Sequence, residues 1–74
     1  MELVPVESSM LTAIGYDEAT GELEAHFHDG AIWRYKGVPR EVYEQLLGSS
    51  SKGGYMRDLI IDVYPDYQVR RKRR

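Results

Sequence analysis

His28–Pro39 reads HDGAIWRYKGVP, and the way its turn closes decides the fold. Two rings, Trp33 and Tyr35, alternate with Ile32, Arg34 and Lys36 just after Asp29-Gly30. The stretch before it also alternates. Leu23, Ala25 and Phe27 face one way, and Glu22, Glu24, His26 and His28 face the other, as in a strand with one buried face. A two-residue loop at Asp29-Gly30 would pair Phe27 with Ile32 and set Arg34 and Lys36 on the apolar face. A three-residue loop, His28-Asp29-Gly30, ends in a left-handed glycine and a bulge. It pairs Phe27 with Ala31, Ala25 with Trp33 and Leu23 with Tyr35. A slip of one residue reverses every side chain, so burial selects the second register. Trp33 and Tyr35 are therefore expected to line a core.

Outward from this hairpin, MLTAIGYD (Met10–Asp17) suits a strand, with Met10, Ile14 and Tyr16 on one face and Leu11 and Ala13 on the other. The stretch DEATG that follows carries turn residues. Before it, Glu2–Ser9 reads as a lead-in with a short extended piece at Val4-Pro5-Val6. On the other side, GVPREVYEQLLG (Gly37–Gly48) is expected to form a short helix. Pro39 suits its first turn, Val42, Tyr43, Leu46 and Leu47 make its apolar stripe, and Gly48 stops it. The serines of SSSKGG are expected to cap a second helix, GYMRDLIIDVYP (Gly54–Pro65). Its rows Tyr55/Leu59/Val63 and Met56/Ile60/Val63 should both face inward, with Pro65 ending it. DYQVRRKRR then reads as a frayed, charged end. The expected class is α+β: a three-stranded antiparallel β-meander covered on one face by two C-terminal helices, in the order β-β-β-α-α.

Seventy-four residues allow one domain. We expect it over residues 1–69, with 70–74 as a basic, disordered tail. Residues 1–69 carry 5 basic against 12 acidic side chains, a formal charge of −7 that the five cations of the tail reduce to −2. An acidic body argues against a broad nucleic-acid face, whereas the tail Arg70, Arg71, Lys72, Arg73 and Arg74 attracts polyanions. Without cysteine there is no disulfide and no thiolate metal site. That composition agrees with a cytoplasmic location. No signal peptide and no membrane span are expected.

The stretches VESSMLTAIGYD, LEAHFHDG, the central aromatic-x-aromatic WRY, GVPREVYEQLL and SSKGGYMRDLIIDVY together resemble the KTSC domain, a small domain found at the C-terminus of some lysyl-tRNA synthetases and as free-standing bacterial proteins. The likeness runs from about Val6 to Tyr64. It implies a module of unestablished function for which RNA binding has been suggested by association with the synthetase. Two features depart from the family pattern. Trp33-Arg34-Tyr35 stands where the family has Tyr-x-Tyr. Ile61 and Val63 stand where basic residues are expected in relatives, and their lack of charge counts against RNA contact by that helical face.

No catalytic constellation is legible, and no enzyme activity and no cofactor are expected. The rings of Trp33, Tyr35, Tyr43 and Tyr55 could stack on bases, but a domain this small needs them inside. Glu24, His26 and His28 share a strand face at metal-binding spacing, but an exposed strand carries His-x-His by chance as well, and no metal is expected. Ser8-Ser9 and Ser49–Ser51 are best explained by turn and capping hydrogen bonds. For RNA, the candidate contacts are Arg34, Lys36, Lys52 and Arg57 together with the tail. The alternative is a protein-interaction or homo-oligomerisation domain, for which Ile61, Tyr64 and Tyr67 would form an apolar interface.

Overall fold

The computed structural model of the chain describes residues 1–71. Strands β1 (Leu3–Pro5), β2 (Leu11–Asp17), β3 (Glu22–Phe27) and β4 (Ile32–Tyr35) are followed by helices α1 (Arg40–Gly48) and α2 (Lys52–Leu59) and by strand β5 (Asp66–Arg70). All neighbours pair antiparallel, and the sheet order is β1-β2-β3-β4-β5.

The decisive hairpin closes by the three-residue loop. Leu23 pairs with Tyr35, Ala25 with Trp33 and Glu24 with Arg34. The Phe27 N–H donates to the Ala31 carbonyl at 2.9 Å, and Gly30 takes φ 93°, a left-handed conformation that glycine adopts without a Cβ clash. Tyr35 is 2% exposed, and Trp33 is half-buried against the core. Leu23 and Ala25 of β3 meet Leu46 of α1 and Met56 of α2 in one cluster with Ile14, Val38 and Ile60. Tyr16 ties β2 to α1. Its ring stacks on Tyr43 at 5.0 Å, and its hydroxyl donates to the Val38 carbonyl at 2.6 Å.

The sheet has five strands where three were expected. The two extra ones are edges, and pairing rather than burial defines them. Every residue of β5 is exposed, yet its backbone pairs along β4, and the Lys36 N–H donates to the Pro65 carbonyl at 2.7 Å to set up that pairing. DYQVR alternates at Tyr67 and Val69, but the strand is short and charged at both ends, as an outer strand tolerates. Arg70, assigned to the tail, ends β5, and its Nε donates to the Gly30 carbonyl at 3.1 Å. β1 pairs with β2, and Met1 and Leu3 lie so close over Gly15 that a Cβ there would meet the Met1 sulfur at 2.7 Å.

Three local expectations also change. A register shift between Leu11 and Ala13 brings Leu11 to the same buried side as Ile14, so the two faces of that strand are not those of a regular alternation. Pro39 sits at the N-cap of α1 in extended conformation rather than inside its first turn. Helix α2 stops at Leu59, six residues before Pro65, and the chain turns through Asp62 at φ 65°. Of its two expected inward rows only Met56 and Ile60 are buried, while Leu59 is 50% and Val63 57% exposed. The turn after Ile60 ends helical periodicity, so Val63 no longer follows either row. No helix among the described residues is long and apolar enough to cross a membrane.

Candidate functional site

The sheet face away from the helices carries a chain of charged groups. Arg34 donates through Nε to Glu24 Oε1 at 2.7 Å and through Nη1 to Glu22 Oε1 at 3.1 Å. The His26 Nε2 lies 2.7 Å from the other Glu24 oxygen, and the Tyr67 hydroxyl donates to Glu22 at 3.0 Å. Glu24 is thereby 9% exposed although no helix covers it. Burial works to raise its carboxyl, but the hydrogen bonds from His26 and Arg34, with their charges, outweigh it and hold the group below the usual carboxylate value. The bond to Glu24, then that with Tyr67, raises the Arg34 guanidinium above its ordinary range. Arg34 is therefore committed to protein carboxylates.

The six described basic candidates fall into three groups. Lys36, its ammonium 5.2 Å from the Tyr67 ring centroid, shares the open sheet side with Arg34. Lys52 and Arg57 instead border a polar hollow of about 300 Å³ at the start of α2, with Ser8, Ser9, Ser51, Gly53 and Gly54 in its wall and Glu7 as its acid. Ser51 occupies the N-cap of α2 without a side-chain cap bond, so the expected serine cap is absent and the first N–H groups of the helix stay open. Lys52 donates to the Ser49 carbonyl at 2.9 Å, and Arg57 makes no ion pair among the described residues. Ser8 builds the opposite wall by accepting the Met10 and Leu11 N–H groups at 3.1 and 3.3 Å. Arg70 and Arg71 lie at the far end of β5, and Lys72, Arg73 and Arg74 lie outside the described residues.

The remaining candidates separate as well. Ile61 and Tyr64 are half-buried against the core, whereas Tyr67 points to the opposite sheet face, so the three do not form one patch. Neighbours in a strand alternate sides, and Tyr67 follows the side of its partner Arg34. Glu24 and His26 meet, but the His28 ring donates to the Ser8 carbonyl at 2.7 Å instead, and the trio does not converge. Tyr43 is buried in its stack on Tyr16, and the Tyr55 hydroxyl donates to Gln45 at 2.8 Å, so no open platform of rings exists among these four aromatics. Trp33 borders open space. With Phe27, Tyr35, Ile61, Asp62 and Asp66 it lines a cleft of about 370 Å³. Composition gave no pointer to Asp62 and Asp66, which flank the end of a helix in no periodic pattern.

A five-stranded antiparallel meander with a helical pair inserted before its last strand defines a small α+β module. The chain belongs to the KTSC family: the KTSC domain matches residues 7–64. It is 39% identical over 59 residues to an uncharacterized protein of Stutzerimonas stutzeri, covering 80% of this chain and 83% of that one. It is 41% identical over 56 residues to a protein of Tsukamurella paurometabola, covering 76% and 84%. The crystal structure of a KTSC domain protein from Yersinia pestis superposes with a TM-score of 0.90 at 28% identity, covering 93% of this chain and 97% of that one.

Proposed function

We propose that this chain is a small non-catalytic binding module that contacts the phosphate backbone of RNA at the hollow between Ser8-Ser9 and the start of α2. The observation that carries the reading is the placement of Lys52 and Arg57, the latter without an ion pair among the described residues, beside serine hydroxyls and the uncapped N–H groups of one helix. Charged and neutral donors of this kind suit phosphate oxygens without reading sequence. The basic end of the chain would add affinity that is lost with salt. Arg34 takes no part, because Glu22 and Glu24 already occupy it. Lys36, on the other sheet side, would at most join a second strand of contacts. A cytoplasmic location goes with this reading.

A nitrogen–proton NMR titration with a short single-stranded RNA at low salt tests it. Shifts at Ser8, Ser51, Gly53, Gly54 and Arg57, weakened in R57A, support the site. Shifts confined to residues 70–74 would reduce it to tail charge alone, and no shifts would end it.

A second reading, self-association, draws on Leu59 and Val63, both at least half exposed, and on the open edge of β5 with Val69 50% exposed. Sedimentation at high concentration checks this reading. A strict monomer removes it.

A further inference from the structure

We propose that the cleft between β4, the α2–β5 turn and the start of β5 is a binding site for a guanidinium group carried on an aliphatic stem. The site lies apart from the hollow of Lys52 and Arg57, with which it shares no residue. Its walls are the rings of Phe27, Trp33 and Tyr35 and the side chain of Ile61, and its acids are Asp62 and Asp66. At about 370 Å³ it falls within the range of roughly 300–1,000 Å³ usual for ligand pockets.

Several independent features point to a cation. Among the described residues, no basic side chain lines the cleft, and neither Asp62 nor Asp66 has an ion-pair or hydrogen-bond partner for its side chain. Two unneutralised carboxylates at the exposed rim, beside three aromatic side chains, leave the cleft negative. The Tyr35 hydroxyl belongs to a residue 2% exposed, yet it has no hydrogen-bond partner among the described residues. The oxygen itself keeps access to the cleft, so it is not a buried orphan, and a ligand donor or acceptor entering there can pair with it. Asp62 is the one described residue other than glycine with positive φ, at 65°. Aspartate tolerates that conformation, and the turn that requires it brings the carboxylate to the mouth of the cleft.

The chemistry selects guanidinium over the other cations. Its plane stacks on an indole, and its fork of N–H donors can engage a carboxylate and accept-capable oxygens at once. An ammonium would gain the charge but not the stack. A hard divalent ion needs about six or more oxygen ligands, and most of this lining is aromatic or aliphatic.

Trp33 is the only tryptophan in the chain, so its fluorescence reports on this cleft alone. The full chain is titrated with N-acetylarginine amide, with agmatine, and with N-acetylcitrulline amide, whose ureido group matches the shape without the charge. A saturable change with the first two in the millimolar range or tighter, absent with citrulline, is expected. D62N and D66N should each weaken it by about tenfold, with circular dichroism confirming the fold. Y35F, in which the acids remain, should weaken it less, and NMR shifts should fall on Phe27, Tyr35 and Ile61. Equal binding of the citrulline compound, no saturable response to either guanidinium, or affinity unchanged in both aspartate variants would overturn the proposal. Tighter binding of the amino-acid amide than of agmatine would identify an arginine side chain of a partner as the source. The reverse order would identify a free guanidine.

Discussion

Arg34 and Glu24 stand opposite each other on β4 and β3, and the Nε of one lies 2.7 Å from Oε1 of the other. Because the His26 ring takes the second Glu24 oxygen, the carboxylate is satisfied on both sides in a nearly buried position. Replacing it by glutamine would leave Glu22 as the carboxylate paired with Arg34 among the described residues and keep only a neutral acceptor at position 24. E24Q is expected to cost about 1–3 kcal/mol at neutral pH, read by urea denaturation. The folded carboxyl titrates below its ordinary value of 4.5, so the unfolded chain binds the extra proton first as pH falls. The stabilisation from this group is therefore complete above that value and is lost as pH drops through the lower folded one. The acid limb of the stability curve should flatten in E24Q. Parallel curves for the parent and the variant would show that the pair is energetically silent.

Gly30 holds φ 93° at the end of the loop that sets the register of the whole sheet. An L-residue with a Cβ is strained there by about 1–2 kcal/mol. G30A should lower stability by that amount, and G30N by less, because asparagine visits positive φ more readily. Thermal melts of the two variants beside the parent check the order. An alanine variant as stable as the parent would mean that the loop relaxes into another turn.

Ile60 is fully buried at the end of α2, and its neighbour Leu59 is half exposed. I60A should cost about 2–5 kcal/mol by leaving a cavity between the helix and the sheet. L59Q and V63Q should each stay within about 0.5 kcal/mol. Comparable losses in all three would restore the longer helix with both rows inward that the apolar spacing favours.

The central hairpin could be read from residues 22–35 because burial punishes a one-residue slip on every side chain at once. The same register sets Glu24 opposite Arg34, yet Arg34 is among the expected RNA contacts, and only its ion pairs remove it. The edge strands gave no such signal. Leu3–Pro5 is only three residues long, and in Asp66–Arg70 the alternation is just Tyr67 and Val69 and runs straight into the basic end of the chain. The shift near Thr12 that turns Leu11 inward, and the left-handed Asp62 that ends the helical run early, are backbone events that the pattern of side chains does not announce. The sites suffered for the same reason. Lys52 and Arg57 meet Ser8 only across the fold, and Asp62 and Asp66 reach Trp33 only because a strand follows where a loose end was expected.

Tyr35 supplies the last test, since its ring is core and its hydroxyl borders the acidic cleft. Burial, then the charges of Asp66 and Asp62, push its ionisation up to about 12. In the unfolded chain the phenol ionises near its ordinary value of 10.0, so above that pH the unfolded state loses the proton first. Stability falls as pH rises from the unfolded value toward the folded one, by roughly 1–2 kcal/mol for this group. Y35F removes that loss, and because the hydroxyl has no hydrogen-bond partner among the described residues, it should cost less than about 1 kcal/mol at pH 8. Urea denaturation of parent and variant from pH 8 to about 11 should give curves that draw together or cross as the pH rises. A constant gap between them would mean that the phenol ionises freely in the folded protein and that neither its burial nor the two carboxylates act on it.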